Sequence, residues 1–264
     1  MKKIFIGLVA AASIASADFL SISAGAGLWQ ENISGYIQNG DTINYFNNSS
    51  AEHDGNNNTG NLGLSNNSNP YFWIKLIHPM PLLPNMKFQY TKYDTSGHSD
   101  YIAGNVKIGD VTINGAITNA NTSQTINSYD FTFFYEFKPV VADIEAGFGV
   151  DYWQGHTTIY GTSNGITQNW VDNDWSVALP YVYAHAETIK LYGVSLLGNI
   201  KWASMGDNHH YDYMGAVKYT MDIVGPVNPF IKVGYRYKDI KGKDGDTTTE
   251  LKYKGIFAEV GARW

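Results

Sequence analysis

The chain has 264 residues, of which 16% are charged, against roughly 25% in an average soluble domain, while 14% are aromatic and 27 are glycine. A net charge of -6 from 18 basic and 24 acidic side chains excludes a surface dense in Lys and Arg, so nucleic acid is not an expected partner. With no cysteine, disulfides, thiolate metal sites, cysteine nucleophiles and lipid attachment at cysteine are all excluded.

The first element is a leader. Lys2 and Lys3, the apolar run from Ile4 to Ile14 and the small residues Ala15-Ser16-Ala17 have the order of a secretory signal peptide, with cleavage expected between Ala17 and Asp18. Residues 1–17 are therefore expected to be removed, leaving 18–264 as one exported domain. That domain contains no run of about 20 apolar residues, so entry into a membrane requires a closed sheet whose backbone groups satisfy one another.

From Leu20 onward the chain alternates with period two, the signature of strands with two unlike faces. Leu20, Ile22, Ala24, Ala26 and Leu28 interleave with Ser21, Ser23, Gly25 and Gly27. The pattern recurs as Phe72/Ile74/Leu76 against Tyr71/Trp73/Lys75, and as Tyr129 to Phe137 against Asp130, Thr132 and Glu136. It continues as Ile144/Ala146/Phe148/Val150 against Asp143, Glu145 and Asp151, and, after a segment from Leu179 to Glu187 whose faces alternation does not assign, as Val194/Leu196/Ile200/Trp202 against Ser195, Asn199 and Lys201. Tyr211/Tyr213/Val217/Tyr219 then oppose Asp212 and Lys218, and Ile231/Val233/Tyr235/Tyr237 oppose Lys232 and Arg236.

Short connections at 78–85, 138–141, 188–191 and 222–228 alternate with long ones at 30–69, 94–125, 161–174, 205–209 and 241–248. Short turns at one end, long loops at the other and abundant Tyr and Trp are the marks of a lipid-facing barrel. The expected fold is all-β, a transmembrane antiparallel up-and-down β-barrel of ten strands, or eight if two weak segments are hairpins within loops. The first long loop holds twelve Asn between Glu31 and Asn69 and no Lys or Arg. Asn39-Gly40-Asp41 within it suits a two-residue hairpin turn that extends the barrel wall. Asp54-Gly55-Asn56 and Asp244-Gly245-Asp246 lack the carboxylate spacing of an EF-hand loop and read as polar surface.

His78-Pro79-Met80-Pro81-Leu82-Leu83-Pro84-Asn85 ahead of an alternating strand, Tyr129-Asp130 running into Tyr135-Glu136-Phe137, and Gly206-Asp207 followed by Tyr211-Asp212-Tyr213 resemble a family of single-chain outer-membrane β-barrel proteins of Gram-negative bacteria. The resemblance spans nearly all the mature chain. Trp264, with Ala262, Val260, Ala258 and Ile256 alternating behind it, is similar to the C-terminal aromatic signal that such proteins present to the barrel-insertion machinery. It implies a place in the bacterial outer membrane, with outer-membrane lipid and that machinery as partners, and it implies no ligand.

Taking the non-lipid face of each strand as inward, Lys75, Lys87, Lys201, Lys218, Lys232, Arg236 and Arg263 face the lumen together with Asp130, Glu136, Asp143, Glu145, Asp151, Asp212 and Glu259. Acids concentrate on the middle strands and bases on those before and after, so opposite walls are placed to pair across the bore. Two readings follow: an ion-paired plug, as in small barrels filled by their own side chains, or a narrow porin-like channel for small polar solutes.

Val171-Asp172-Asn173-Asp174-Trp175 and Asp207-Asn208-His209-His210-Tyr211 resemble the acid-x-acid and Asp-x-His elements of the omptin proteases. That resemblance implies Asp172 and Asp174 as an acid pair and Asp207 with His209 as a dyad acting on water. Their order on consecutive loops departs from the omptin pattern, in which the acid pair lies far upstream. Because adjacent histidines on a strand face opposite ways, at most one of His209 and His210 joins a metal site with Asp207 or His156. No cofactor is expected, and no nucleophile elbow, P-loop or dinucleotide fingerprint is present. The sequence therefore points to a non-enzymatic envelope barrel, with a surface adhesin acting through the Asn-rich loop and an omptin-like protease as alternatives.

Overall fold

The computed structural model describes residues 20–47, 58–80, 82–108, 110–221 and 226–264. The signal peptide with its Ala17/Asp18 cleavage point lies outside the described residues, as does Asp54-Gly55-Asn56. The described chain is strand and turn: β1 (Ser21–Asn39), β2 (Thr42–Tyr45), β3 (Thr59–Asn61), β4 (Asn67–Ile77), β5 (Asn85–Ile102), β6 (Val106–Ile108), β7 (Val111–Ile113), β8 (Ile117–Phe137), β9 (Ala142–Ser163), β10 (Ile166–Thr188), β11 (Val194–Met205), β12 (Asn208–Thr220), β13 (Asn228–Asp244) and β14 (Thr247–Arg263).

Strands β1, β4, β5 and β8 to β14 form an antiparallel ring in which each pairs with the next, and β14 pairs back onto β1 from Ser23↔Arg263 to Asn39↔Thr247. Trp264 extends that seam, its backbone N–H donating to the Ile22 carbonyl at 2.7 Å and its carbonyl accepting from the Ile22 N–H at 3.3 Å. The ring closes every strand edge within the lipid layer, which is what a membrane-spanning sheet requires.

Around the ring, Phe72, Phe131, Phe148, Leu196, Ile200, Val217, Val233, Ile256 and Val260 are exposed on the outside, while Asp130, Glu145, Asp151, Lys201, Asp212 and Glu259 are buried within. Apolar outside and charged inside is the arrangement of a transmembrane barrel, not of a water-soluble one. Outward aromatics form a belt at the end of this band nearer the long connections. Trp202, Tyr211, Tyr213 and Tyr237 stack in sequence at 6.2–6.4 Å, and Tyr90 lies 5.4 Å from Tyr129.

Several inward rings lie over glycines of the neighbouring strand. A Cβ at Gly149 would strike the Tyr181 hydroxyl, and one at Gly25 the Trp73 indole. Glycine is required at both places by the close approach of a large ring to the wall. The segment from Leu179 to Glu187 now has its faces: Tyr181 and Tyr183 point in, Val182, Ala184 and Ala186 out. Inward tyrosines opposite outward alanines leave little hydropathy contrast, which is why alternation does not mark it.

The expected long loops at 94–125, 161–174 and 241–248 are largely strand. β5 runs up to Ile102, β8 begins at Ile117, and β9 and β10 meet at a two-residue turn, Asn164-Gly165, with both residues at positive φ. These segments rise beyond the lipid, where both the outer medium and the turn are aqueous, so Ser, Thr, Asn and Gln occupy outward positions and the apolar signal of a strand disappears. Asn39↔Thr42 closes the hairpin between β1 and β2 around Gly40-Asp41, and Asp244-Gly245-Asp246 is the tip of another, between β13 and β14.

The raised wall encloses an apolar core of Ile33, Ile37, Phe46, Leu62, Ile102, Ile117, Ile126, Ile159 and Val171. Hairpin β6–β7 lies across its mouth, packed against β1 on one side and β10 on the other. Lys107 of that hairpin donates to Asp244 at 2.7 Å, a hydrogen bond that holds its ammonium above the ordinary lysine range.

Candidate functional site

The barrel interior is layered. At the short-turn end, which faces the periplasm in barrels of this type, lies an open vestibule of about 390 Å3, reached past Glu136, Asp143, Lys190 and Arg263. Glu136 is paired at the rim with Lys138 at 2.9 Å, and the Arg263 Nε donates to the Ser21 hydroxyl at 3.1 Å. Deeper in, Lys75 of β4 reaches across the bore to Glu145 of β9, whose other oxygen accepts from the Tyr183 hydroxyl at 2.9 Å. Lys218 pairs with Glu187, which also accepts from Ser195 at 2.7 Å. Lys232 pairs with Glu259 at 2.6 Å, and Glu259 accepts from Tyr71 at 2.9 Å.

The next layer is buried. Lys201 of β11 meets Asp130 of β8 across the bore, and the Tyr181 hydroxyl donates to the same carboxylate at 2.5 Å. Arg236 grips Asp212 through two hydrogen bonds of 2.9 and 2.5 Å, the fork geometry that fits guanidinium to carboxylate. Lys238 bridges Asp151 at 2.6 Å and Asp212 at 3.8 Å, and Asp151 also accepts from Ser128 at 2.6 Å. Lys238 and Asp151 are both at or below 1% exposure, so the pair has no access to water from either end.

Four rings seal this layer. Tyr93 stacks on Tyr253 at 4.8 Å, Trp153 lies 5.4 Å from Tyr93, and Trp29 meets Tyr93 edge-on at 6.0 Å. The Lys238 ammonium sits 4.8 Å from the Trp153 ring and the Arg236 guanidinium 4.7 Å from Trp29, so the cations are shared between carboxylates and aromatic faces. Above the rings begins the apolar core under β6–β7. Glu31, buried beside Asn69, marks the transition.

Of the charges assigned to the lumen from alternation, Asp130, Glu145, Asp151, Lys201, Asp212, Lys232, Arg236 and Glu259 are buried and Arg263 is exposed at the rim, and the cross-bore pairs Lys75–Glu145 and Lys201–Asp130 join strands distant in the ring. Alternation did not supply Lys238 or the four rings. Lys238 follows in phase from Lys232 and Arg236, one residue past the last outward position, Tyr237, of the alternating run. Trp29 and Trp153 each follow an outward apolar residue, Leu28 and Tyr152, so they read as a break in the pattern although they are inward members of it.

The protease-like residues are elsewhere. His156 of β9 contacts Asp174 at 2.8 Å and Asp172 at 3.7 Å, all three being exposed on the outer face above the aromatic belt. The partner of His209 is Asp239 of β13 at 3.0 Å, rather than Asp207, which sits in the β11–β12 turn. The expected dyad is therefore replaced by a pairing between adjacent strands, and the acid pair is engaged by a different histidine. His210 points the opposite way, buried in the lumen with its ring edge-on to Tyr181 at 5.7 Å. His209, Asp239 and Glu250 form one cluster of metal-ligand type, but Lys252 already supplies its positive charge, 2.6 Å from Glu250 and 3.8 Å from Asp239.

No protein-family model matches the chain, and no curated protein matches it in sequence. Among solved structures it is similar to the outer membrane protease OmpT from Escherichia coli, at 8% identity over 94% of this chain and 97% of that one, with a TM-score of 0.44. It is also similar to the translocator domain of the autotransporter NalP from Neisseria meningitidis, at 11% identity over 100% of this chain and 94% of that one, with a TM-score of 0.45. The toluene transporter TodX from Pseudomonas putida is a third, at 7% identity over 94% and 90%, with a TM-score of 0.31.

Proposed function

We propose that this chain is an integral outer-membrane β-barrel with a non-enzymatic role in the envelope and a bore closed by its own side chains. The observation that carries the reading is the buried layer in which Lys238, Asp151, Asp212 and Arg236 pair beneath the rings of Trp29, Tyr93, Trp153 and Tyr253. An aqueous channel requires hydrated charges along its length, and wide ones belong to barrels of roughly 16 strands. Buried charges that satisfy one another are costly to separate and offer no path for an ion. A non-enzymatic role is supported by His209 meeting Asp239 rather than Asp207, so the dyad that the omptin resemblance implies is not the one assembled.

The test is conductance of the refolded mature chain in a planar bilayer, with folding checked by heat-modifiable gel mobility. Folded protein is expected to give no discrete steps. Steps whose ion selectivity changes on Lys201→Glu would overturn the closed bore and restore the narrow channel.

A further inference from the structure

The inward-facing lysines are not equivalent. Lys75, Lys201, Lys218, Lys232 and Lys238 each have a carboxylate within ion-pair distance. Lys87 of β5 has none among the described residues; its contact is the face of Trp73, 5.3 Å away, which it shares with Lys232 at the same distance. The two carboxylates whose charge reaches it, Glu259 and Asp130, are engaged with Lys232 and Lys201.

Lys87 also occupies a particular place. With Asn199, Met214 and Lys232 it lines both the vestibule and the small cavity of about 30 Å3 beyond it, so it forms the inner end of the space open to the short-turn side. The Asn199 amide comes from β11, on the wall opposite β5. Lys87 and Asn199 therefore line the same inner space from opposite walls, with Met214 beside them and Leu197 on the vestibule side. The vestibule falls within the size range of small-molecule pockets, roughly 300–1,000 Å3.

We propose that the vestibule binds a small organic monocarboxylate from the periplasmic side, its carboxylate held by Lys87 and Asn199 and its apolar portion against Leu197 and Met214. An unpaired ammonium in a confined site is stabilised by an incoming anion, and a carboxylate accepts from both donors at once. A single carboxylate matches Lys87, because Lys75, Lys218 and Lys232 of the same lining are already engaged with Glu145, Glu187 and Glu259. The vestibule lies on the short-turn side of the Lys238–Asp151 pair, so the site does not depend on whether the bore conducts.

The probe is sodium butyrate, titrated calorimetrically into the refolded full mature chain in detergent, with inorganic phosphate and butylamine as parallel arms. Butyrate is expected to bind in preference to both. Lys87→Met is expected to weaken it by about tenfold or more, the loss of one charge-assisted hydrogen bond, and Lys87→Arg to retain most of it. Lys87→Met is also expected to fold as well as the parent, since it removes a charge that has no protein partner; Asn199→Leu gives a second, uncharged way to remove a donor. Absence of butyrate binding, binding unchanged by both Lys87→Met and Asn199→Leu, or tighter binding of phosphate would each overturn the proposal.

Discussion

Along β9 the two halves of the barrel obey opposite rules. From Ile144 to Tyr152 the outward side chains are Ile, Ala, Phe, Val and Tyr, while Glu145 and Asp151 are buried inside. A few residues further on, Gln154, His156 and Thr158 point outward and Ile159 is fully buried inside. The ladder to β8 continues through both stretches with the same alternation of faces. What changes is the medium outside: lipid below, water above. In the lower half polar groups must retreat inward and find partners there; in the upper half the hydrophobic effect acts in its usual direction and drives isoleucines into the interior. A single strand can therefore carry two cores of opposite chemistry, one ionic and aromatic, one aliphatic.

This contrast is breakable in three places. The largest effect is expected in the ionic core: Lys238→Met leaves Asp151 buried and unpaired and should cost about 3–5 kcal/mol in reversible urea unfolding of the refolded barrel. The double variant Lys238→Met with Asp151→Met should recover most of that loss. In the aliphatic core, Ile159→Ala removes a fully buried side chain without leaving a charge behind and should cost about 2–5 kcal/mol by the same measurement, with no rescue by a polar partner. The outer face gives the sharpest control. Phe148→Arg puts a charge against lipid and should cost about 2–4 kcal/mol, depending on its depth, whereas Thr158→Arg, outward on the same strand but above the lipid, should leave the unfolding midpoint unchanged. Equal losses from the two arginines would remove the division between the halves.

The same division explains what was legible in the sequence. In the lower half, hydropathy alternation registers strand, face and lumenal charge together, because lipid enforces an apolar residue at every second position. Lys75, Asp130, Glu145 and Lys201 could each be placed inside from that alone. In the upper half the outward residues are Thr, Asn and Gln, and stretches such as Ile117–Gln124 look like loop although they are strand. Inward aromatics were hidden for a related reason: Trp29, Trp153 and Tyr253 are apolar on the face reserved for polar residues, so they erase the contrast at the level where the bore is sealed. The partners of His156 and His209 depend on the register between neighbouring strands, which sets Asp174 opposite His156 and which one chain's periodicity does not contain.

The seam between β14 and β1 has a consequence for how the molecule comes into being. Its two sides are more than two hundred residues apart in the chain, and its contacts run on to Trp264 and Ile22. A ring without β14 would retain two raw sheet margins, on β1 and β13, and would leave Lys232 without Glu259. Closure therefore waits on β14, and a ring lacking it is chemically distinguishable from the closed one by its sticky borders alone.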